Sequence, residues 1–343
     1  MRVNIIGGGL AGTSLAYILK SRGADPVIYE ASLNVAGGAS GNEVGLYNPR
    51  FSAQLDVVAK FYSDAFFQAL EIFKKFDKAI NWTPCGVLSL LCDERRNVRY
   101  RKTVTSWGWS HDDMQLISAR EASEIAGVEI AHDALYLPKS GNISPRNLCH
   151  EYTQGVEVHL DHAVKNLADL KGDATILACG IGALKFDATH DLPLKSVRGQ
   201  VSYIEQGKAS KNLKAMLNYN GYIAPAKDGT HVLGATFQPW LSHSEIRPED
   251  NLTNLEKLFE DVPSLKDSYT VIGSRAAVRT ASRDHFPVVG QLSKGTYISV
   301  AHGSHGILST LISANILADM LLGSGFNVSN DMLTALSPNR FSR

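Results

Sequence analysis

The apolar positions at the start of the chain predict a strand, a tight turn and a helix within about the first twenty residues. Residues 3–6 form a short apolar run of the buried-strand kind, and a helical pattern follows over 13–21. A second apolar run at 26–29 ends at Glu30. Strand, helix and strand in this order are typical of the opening unit of a parallel α/β sheet.

The middle of the chain changes to short strands in which apolar and polar residues alternate. Over about residues 194–272 these strands are separated by turn signals, which predicts antiparallel pairing, and Asp228-Gly229 has the composition of a hairpin turn. The α/β pattern returns after this region. Further strands are predicted at 85–91, 156–160, 173–180, 199–204, 221–225, 231–236 and 295–300, and further helices at 54–78 and 307–322.

We therefore predict an α/β protein that consists of a Rossmann-like nucleotide-binding domain with an inserted, mainly antiparallel β domain. The nucleotide-binding domain is expected to comprise 1–80, 142–190 and 273–343, and the inserted substrate domain 81–141 and 191–272. A chain of 343 residues is long enough to give each domain a core of its own.

Composition limits the classes of protein and the location. The 34 basic and 34 acidic residues cancel, so the chain lacks the overall positive field of many nucleic-acid-binding proteins. No apolar stretch approaches the ~20 residues of a membrane span, and no signal peptide is expected before the first strand. The cysteines have no metal-ligand or disulfide spacing, which favours a reducing, cytoplasmic location. They are Cys85, Cys92, Cys149 and Cys179.

Positive charge is concentrated in one local cluster, which could meet a polyanion despite the neutral total. The alternative interpretation is the solvated face of a surface helix. Nearby, Trp107 and Trp109 could stack an exposed base, or they could pack in the core. The basic cluster consists of Arg95, Arg96, Arg99, Arg101 and Lys102.

The turn after the first strand has the pattern of a dinucleotide site. Gly7, Gly9 and Gly12 fit G-x-G-x-x-G between strand and helix, where glycines close the turn and let a pyrophosphate approach the helix N-terminus. Glu30 stands at the end of the second strand, where a carboxylate accepts the ribose hydroxyls. The alternative is a glycine-rich turn of an ordinary α/β fold.

The number of such motifs bears on the source of electrons. Enzymes that use both FAD and NAD(P)H usually carry a second G-x-G-x-x-G unit, and this sequence has none. With FAD in the one site, electrons would come from an organic substrate in the antiparallel domain. The loop at 301–306 precedes a helix whose N-terminus could stabilise negative charge on a reduced flavin. His302 and His305 are interpreted as loop-lining residues, and the loop contains no cysteine, which predicts non-covalent FAD.

Several further motifs are together typical of one group of flavoenzymes. They lie at 38–42, 45–49, 198–200, 221–225, 234–237 and 279–290. On these motifs the whole chain resembles the FAD-dependent amine oxidases of the D-amino-acid oxidase, glycine oxidase and sarcosine oxidase superfamily. More narrowly, it is similar to the flavin-dependent C-terminal half of the bifunctional enzymes that make 5-methylaminomethyl-2-thiouridine in tRNA. It departs from that branch at His305, where the branch favours arginine.

The resemblance implies a site for FAD and a site for an amine substrate. Arg279 matches an arginine that holds the substrate carboxylate, although an ordinary ion pair is the alternative. Tyr222 falls where the superfamily places a phenol beside the substrate, although a core tyrosine is the alternative. Tyr47 is expected to line the same substrate site. The residues expected to hold FAD are Gly7, Gly9, Gly12, Glu30, Ala39, Ser40, Gly41, Asn42, Gly180, Gly303, Ser304, His305, Gly306, Ile307 and Leu308.

The reaction that the resemblance implies is oxidative removal of the carboxymethyl group from 5-carboxymethylaminomethyl-(2-thio)uridine at the tRNA wobble position. Hydride transfer to the flavin and hydrolysis would give 5-aminomethyluridine and glyoxylate, and a separate methyltransferase could then act on the product. The basic cluster would contact the tRNA. The alternatives are an oxidase of glycine, sarcosine or another amino acid, a flavoprotein without turnover that serves as a binding module, and a nicotinamide dehydrogenase.

Overall fold

The computed structural model describes residues 1–342, which form a six-stranded sheet, an eight-stranded sheet and a two-stranded sheet. The strands are β1 (Arg2–Ile6), β2 (Asp25–Tyr29), β3 (Gly45–Tyr47), β4 (Val87–Leu90), β5 (Gln115–Ile117), β6 (Ala134–Leu137), β7 (Gly141–Ile143), β8 (Glu157–His159), β9 (Ala174–Leu177), β10 (Leu194–Glu205), β11 (Met216–Asn218), β12 (Tyr222–Ile223), β13 (Thr230–Gly234), β14 (Val271–Ser282), β15 (Val288–Ser293) and β16 (Thr296–Val300). The helices are α1 (Leu10–Ser21), α2 (Val57–Phe76), α3 (Glu94–Trp107), α4 (Ala119–Ala126), α5 (Pro145–Tyr152), α6 (Pro248–Asp261), α7 (Gly306–Leu322) and α8 (Asn330–Leu336).

The six-stranded sheet is the nucleotide-binding sheet that the sequence predicts. Its order is β15-β16-β9-β1-β2-β8, and all neighbours pair in parallel except β15 with β16. Helices α1, α2 and α7 bury their apolar faces in the core beside this sheet, as Leu15, Phe66 and Leu317 illustrate, each fully buried. The order explains why strands from three separate stretches of the chain are needed for one domain.

The eight-stranded sheet, in the order β14-β10-β13-β12-β11-β4-β6-β5, is the mainly antiparallel part. Only β11 and β4 pair in parallel. Alternate residues of its strands, such as Leu217 and Leu233, face a second core that includes Ala122 of α4 and Leu258 of α6. Because successive side chains of a strand point to opposite faces, the intervening residues face the other way, toward the cavity described below.

The structure places one domain boundary later than predicted. Strand β14 pairs with β10 from Val271 to Ser282, so residues 273–282 lie in the eight-stranded sheet and not with the nucleotide-binding segments. Local spacing could not show this, because an antiparallel strand of the inserted sheet and a strand of the first sheet have the same apolar pattern. The predicted hairpin turn is confirmed, with Asp228 and Gly229 at φ +51° and +76° between β12 and β13.

A buried ion pair joins β10 to α6. Arg198 is fully buried, and its Nη1 donates to Asp250 Oδ2 at 2.5 Å and to Gln238 Oε1. Its Nη2 donates to Gln200 Oε1 at 2.8 Å and to the carbonyl of Glu245. The guanidinium thus fixes the long connection between β13 and α6 at both of its ends.

Within residues 1–342, no helix combines the length and the apolar character that a membrane crossing needs.

Replacing Asp250 should destabilise the fold strongly. Asp250→Ala leaves the buried Arg198 charge without its counter-ion, and breaking a buried pair in this way costs about 3–5 kcal/mol. Urea denaturation of the variant and the wild type measures the difference. The neighbouring substitution Glu249→Ala removes only an exposed partner of Arg247 and should cost much less. Equal losses for the two variants would contradict the importance of the buried pair.

Candidate functional site

A cavity of about 820 Å³ is lined by residues of both large sheets. On one side it is bounded by the loops that follow β1, β2, β9 and β16, at the carboxyl edge of the parallel sheet, where ligands of open α/β sheets bind. On the other side lies the open face of the eight-stranded sheet, from β11 to β14. Both predicted sites therefore open into the same space.

The turn after β1 is shaped by close main-chain approaches. Gly7 has φ +111°, and a side chain there would meet the carbonyl oxygen of Ala178 at 2.6 Å. Gly12 is not on the cavity wall; the absence of its side chain lets α1 lie against the Gly7 carbonyl. Gly9 lines the cavity at the start of α1. The predicted glycines thus serve helix packing as well as access to the turn.

Glu30 and Ser40 frame this turn with hydrogen bonds. The Glu30 carboxylate accepts the backbone N–H of Gly8 at 2.6 Å and that of Ser32 at 2.7 Å, one on each oxygen. Each carboxylate oxygen can accept further hydrogen bonds, so both remain able to receive a hydroxyl from the cavity. Ser40 Oγ accepts the N–H of Leu10 at 2.9 Å and so connects the loop at 38–42 to the first turn of α1.

Arg275 of β14 reaches from the eight-stranded sheet to the same loop. Its Nη1 donates to Asn42 Oδ1 at 2.8 Å, and its Nη2 donates to the Gly38 carbonyl. A side chain at Gly41 would overlap this guanidinium. Gly41 was predicted to hold FAD; in the structure it accommodates Arg275, and its two neighbours line the cavity instead. No motif in the sequence pointed to Arg275 as part of the site.

Two helix N-termini open onto the cavity. Neither Gly9 before α1 nor His305 before α7 forms a side-chain cap to its helix. Unpaired N–H groups and the positive end of the helix dipole favour anions at both places. The predicted loop residues 303–307 and Gly180 all line the cavity, whereas Leu308 is buried behind the wall, with 1% of its surface exposed.

The two histidines of the last loop are held within the protein. His302 lies between the hydroxyls of Ser299 and Ser309, at 3.1 and 2.9 Å. His305 donates from Nδ1 to the carbonyl of Asn48 at 3.4 Å. Burial lowers the pKa of His302 to about 3 and that of His305 to about 4, since desolvation disfavours the charged ring. Both rings are therefore neutral at physiological pH.

Arg279 and Tyr222 meet at the substrate side of the cavity. The Arg279 guanidinium lies over Gly199 of β10, where any side chain would displace it, and its Nη1 is 3.4 Å from Ser304 Oγ. Among residues 1–342, no carboxylate forms an ion pair with it, and burial lowers its pKa. Burial raises the pKa of Tyr222 to about 12, although the nearby Arg279 charge opposes the rise. The phenol is therefore protonated and the guanidinium lacks a counter-ion.

Tyr47, which was predicted to bind substrate, does not reach the cavity. Its side chain is fully buried, its hydroxyl donates to the Lys139 carbonyl at 3.1 Å, and it accepts from Trp82 Nε1 at 2.8 Å. Strand β3 pairs with β7, and the alternation of the strand turns Tyr47 into the core while its neighbour Leu46 lines the cavity. The motif was in the right place, but the register of the strand decided which residue faces the site.

One row of residues across the eight-stranded sheet forms a wall of the cavity and was only partly predicted. Asn218 stands opposite Tyr222, Tyr222 opposite Gly234, and Gly234 opposite Val201. Residues directly opposite on neighbouring strands share a face. The alternation of these strands was visible in the sequence, but Asn218 and Val201 could be assigned to the site only once the pairing was known.

The basic cluster divides into three parts on α3. Arg95, Arg99 and Lys102, together with residues 51–53, line a second, shallow cavity on the surface. Arg96 lines the main cavity instead, and Arg101 pairs with Asp133 at 3.5 Å.

The two tryptophans near this cluster pack against other side chains. Trp107 is 4% exposed, and Trp109 stacks on Phe66 with ring centroids 5.3 Å apart. This arrangement agrees with the core-packing interpretation of both residues and not with stacking on an exposed base.

The main cavity fits FAD. The N-termini of α1 and α7 can face phosphates and the pyrimidine end of the flavin, and the Glu30 carboxylate can accept ribose hydroxyls. A volume of about 820 Å³ lies within the usual range of cofactor sites. The residues that would hold the cofactor lie on the turn after β1, the loop at 38–42 and the loop before α7.

Known proteins match nearly the whole chain. The tRNA 5-methylaminomethyl-2-thiouridine biosynthesis bifunctional protein MnmC of Hahella chejuensis is 30% identical over 372 residues, covering 99% of this chain. That of Idiomarina loihiensis is 30% identical over 358 residues, again covering 99% of the chain. The chain spans 59% and 58% of these two relatives.

Solved structures and a family match lead to the same group of proteins. Glycine oxidase from Geobacillus kaustophilus superimposes with a TM-score of 0.86 at 19% identity, covering 100% of both chains. L-proline dehydrogenase from P. horikoshii gives 0.83 at 16% identity, covering 100% of this chain and 98% of the other. Residues 2–320 match the family described as FAD dependent oxidoreductase. The chain therefore belongs to this FAD dependent oxidoreductase family, DAO, and is an FAD-dependent enzyme of that fold.

Proposed function

We propose that this enzyme removes the carboxymethyl group from 5-carboxymethylaminomethyl-(2-thio)uridine at the wobble position of tRNA. The proposal is supported by relatives named as tRNA 5-methylaminomethyl-2-thiouridine biosynthesis proteins. One of them is 30% identical over an alignment that covers 99% of this chain. The structural observation that carries it is Arg279, which has no ion-pair partner within residues 1–342 and faces the cavity that fits FAD. A tRNA substrate would also agree with the predicted cytoplasmic location.

The reaction balances as an amine oxidation followed by hydrolysis. The –CH₂–NH–CH₂–COO⁻ group loses two electrons and two protons to become an imine at the methylene beside the carboxylate. Water then adds to the imine carbon, and the C–N bond breaks to give glyoxylate and the primary amine of 5-aminomethyluridine. FAD, when bound, supplies the two-electron acceptor. A methyltransferase partner would act on that primary amine.

Arg279 would hold and orient the carboxylate. A guanidinium and a carboxylate can form two parallel hydrogen bonds, which supply both charge and direction. Because the Arg279 site is desolvated, this pair would be worth more than it is in water. Tyr222, protonated beside it, could donate a further hydrogen bond to the same carboxylate. Together they would present the methylene group in one orientation.

The neutral histidines would add no positive charge to this part of the site. With His302 and His305 uncharged, neither ring competes with Arg279 for the substrate carboxylate. The substrate amine must lose its own proton before oxidation, since only its lone pair can assist removal of electrons from carbon. A desolvated site lowers the amine pKa and so favours the reactive neutral form.

The surface part of the basic cluster would contact the tRNA backbone. Arg95, Arg99 and Lys102 have no ion-pair partner among residues 1–342, and they share one side of α3. Arg96, from the neighbouring position on the same helix, reaches the main cavity. Helix α3 would thus connect a phosphate-binding surface with the site that receives the modified base.

Loss of Arg279 should abolish productive binding of the carboxylate. For Arg279→Ala we expect the second-order rate constant of anaerobic flavin reduction by the substrate to fall by ~10² or more. This is the scale of losing one partner of a buried charged pair. Stopped-flow absorbance at the flavin band measures this rate with modified tRNA. The exposed Arg283→Ala is the matched control. An unchanged rate of flavin reduction in Arg279→Ala would contradict the proposed role of Arg279 in substrate binding.

The buried histidines predict a pH dependence of stability. In the unfolded chain each ring binds a proton near pH 6.5, but in the folded protein His305 does so only near pH 4. Between these values the unfolded state binds more protons, so the free energy of unfolding should rise as pH increases from about 4 to 6.5. Urea denaturation at several pH values measures this slope. It should be smaller in His305→Gln, and an identical slope would contradict a buried neutral His305.

Salt dependence separates the tRNA reaction from oxidation of free amino acids. The KM for modified tRNA should rise steeply with salt, and Arg95→Ala/Arg99→Ala/Lys102→Ala should raise it at least about tenfold and flatten the salt slope by roughly one unit per lost phosphate contact. Steady-state turnover measured at salt concentrations of roughly 50 to 300 mM, which bracket the physiological ionic strength, tests this prediction. Arg101→Ala, whose charge is already paired, is the control on the same helix. If the enzyme oxidises sarcosine or glycine but not modified tRNA, and salt does not change that rate, the result would favour a small-molecule oxidase.

A further inference from the structure

The segment that follows β13 carries an exposed aromatic residue on the cavity wall. Phe237 lines the main cavity, yet 54% of its surface is exposed to solvent. Phenylalanines of the core, such as Phe61 and Phe66, are fully buried. Phe237 therefore stands where the cavity opens to solvent, and amine oxidation itself does not use its ring.

Hydrogen bonds on both sides of Phe237 fix the direction of its side chain. Gln238 exchanges two backbone hydrogen bonds with Arg198, at 2.9 and 3.1 Å, and the N–H of Thr236 donates to a carbonyl of β10 at 3.1 Å. The Gln238 side chain donates to Asp250 Oδ1 at 2.8 Å, on the α6 side of the sheet. Because successive side chains of an extended segment point to opposite faces, Phe237 points to the cavity side.

Phe237 is the neighbour of the substrate arginine across the sheet. The Arg279 guanidinium lies over Gly199 of β10, and a side chain at Gly199 would also meet the Thr236 carbonyl at 2.8 Å. The segment that carries Phe237 is thus the next strand beyond Gly199. Neighbouring strands lie about 4.8 Å apart, so roughly this distance separates the guanidinium from the Phe237 backbone.

The proposed substrate has its ring at a matching distance from its carboxylate. Four bonds join the carboxylate carbon to C5 of the uracil ring, namely the two C–N bonds of the amine and one C–C bond on either side. With bonds of about 1.5 Å, an extended chain of this length spans roughly 5 Å. When Arg279 holds the carboxylate, the uracil ring therefore reaches Phe237. Because Phe237 is half-exposed, the rest of a polynucleotide can remain in solvent.

We propose that Phe237 stacks on the flat ring of the substrate, which makes this a site for glycines whose nitrogen carries a planar ring on a methylene group. Every nucleobase has a π-face, so stacking on an aromatic side chain adds affinity without selecting one base. Glycine and sarcosine have no ring and leave Phe237 uncovered. The inference rests on the proposed function, because the ring is that of the modified base, and it names the residue that separates this substrate from free amino acids.

Analogues without the amine test ring recognition apart from turnover. Benzyloxyacetate has the same four bonds between ring and carboxylate as the proposed substrate, but an ether oxygen replaces the amine whose lone pair oxidation requires. Ethoxyacetate lacks the ring, and cyclohexylmethoxyacetate has a ring of similar size that is not flat. In calorimetric titrations of the FAD-loaded enzyme, benzyloxyacetate should bind about tenfold more tightly than ethoxyacetate. It should bind about threefold or more tightly than cyclohexylmethoxyacetate.

Variants assign the preference to one side chain. Phe237→Ala should remove the difference between the flat and the non-flat ring, whereas Phe237→Tyr should keep it because an aromatic ring is retained. Trp240→Ala is the matched control, since Trp240 lies in the same segment and is 71% exposed but does not line the main cavity. Arg279→Ala should weaken binding of all three acids by at least about tenfold, which locates them at this site. The flavin content of each variant shows whether the fold around the cofactor is kept.

Equal affinity of the wild type for benzyloxyacetate and ethoxyacetate, or binding of neither acid, overturns the inference. A preference for the flat ring that survives Phe237→Ala overturns it as well. Anaerobic flavin reduction by modified tRNA is measured alongside. If the ring preference depends on Phe237 but the tRNA does not reduce the flavin, ring recognition stands and the proposed function fails. If the tRNA reduces the flavin but Phe237→Ala leaves binding of the acids unchanged, the proposed function stands and this inference fails.

Discussion

The hydrogen bonds from Arg275 to the loop at 38–42 are the contact on which the geometry of the site depends. Arg275 and Arg279 lie on the same face of β14, four residues and roughly 13 Å apart at about 3.3 Å per residue. In the loop, Ser40 accepts the N–H of Leu10 at the first turn of α1. One strand thus positions both Arg279 and the loop that supports the turn after β1, so the two sides of the cavity are held in a fixed relation.

Exclusion of water gives this site its charge pattern. Burial leaves His302 and His305 neutral and Tyr222 protonated, while no carboxylate of residues 1–342 forms an ion pair with Arg279. The N-termini of α1 and α7 add positive potential, as do Arg96 and Lys185 on the cavity wall. An anionic cofactor and the carboxylate of the proposed substrate would therefore both be attracted to this cavity.

Features that depend on neighbouring residues in the chain were predictable. The G-x-G-x-x-G turn, the acid at Glu30, the loop before α7 and the hairpin at Asp228 all follow from short-range spacing, and each lies where local chemistry requires it. The two-sheet architecture followed from the change between helical and alternating patterns. The family followed from motifs that are themselves local, and residues 2–320 match it.

Features that depend on which face of an element meets the cavity needed the fold. Tyr47 and Leu46 are adjacent, and so are Arg95 and Arg96, yet only Leu46 and Arg96 reach the main cavity. The membership of residues 273–282 in the second sheet follows from the pairing of β14 with β10. Composition and spacing determine where strands, turns and helices form. Strand register and helix rotation, which are set by contacts between residues distant in the chain, determine which side chains share a site.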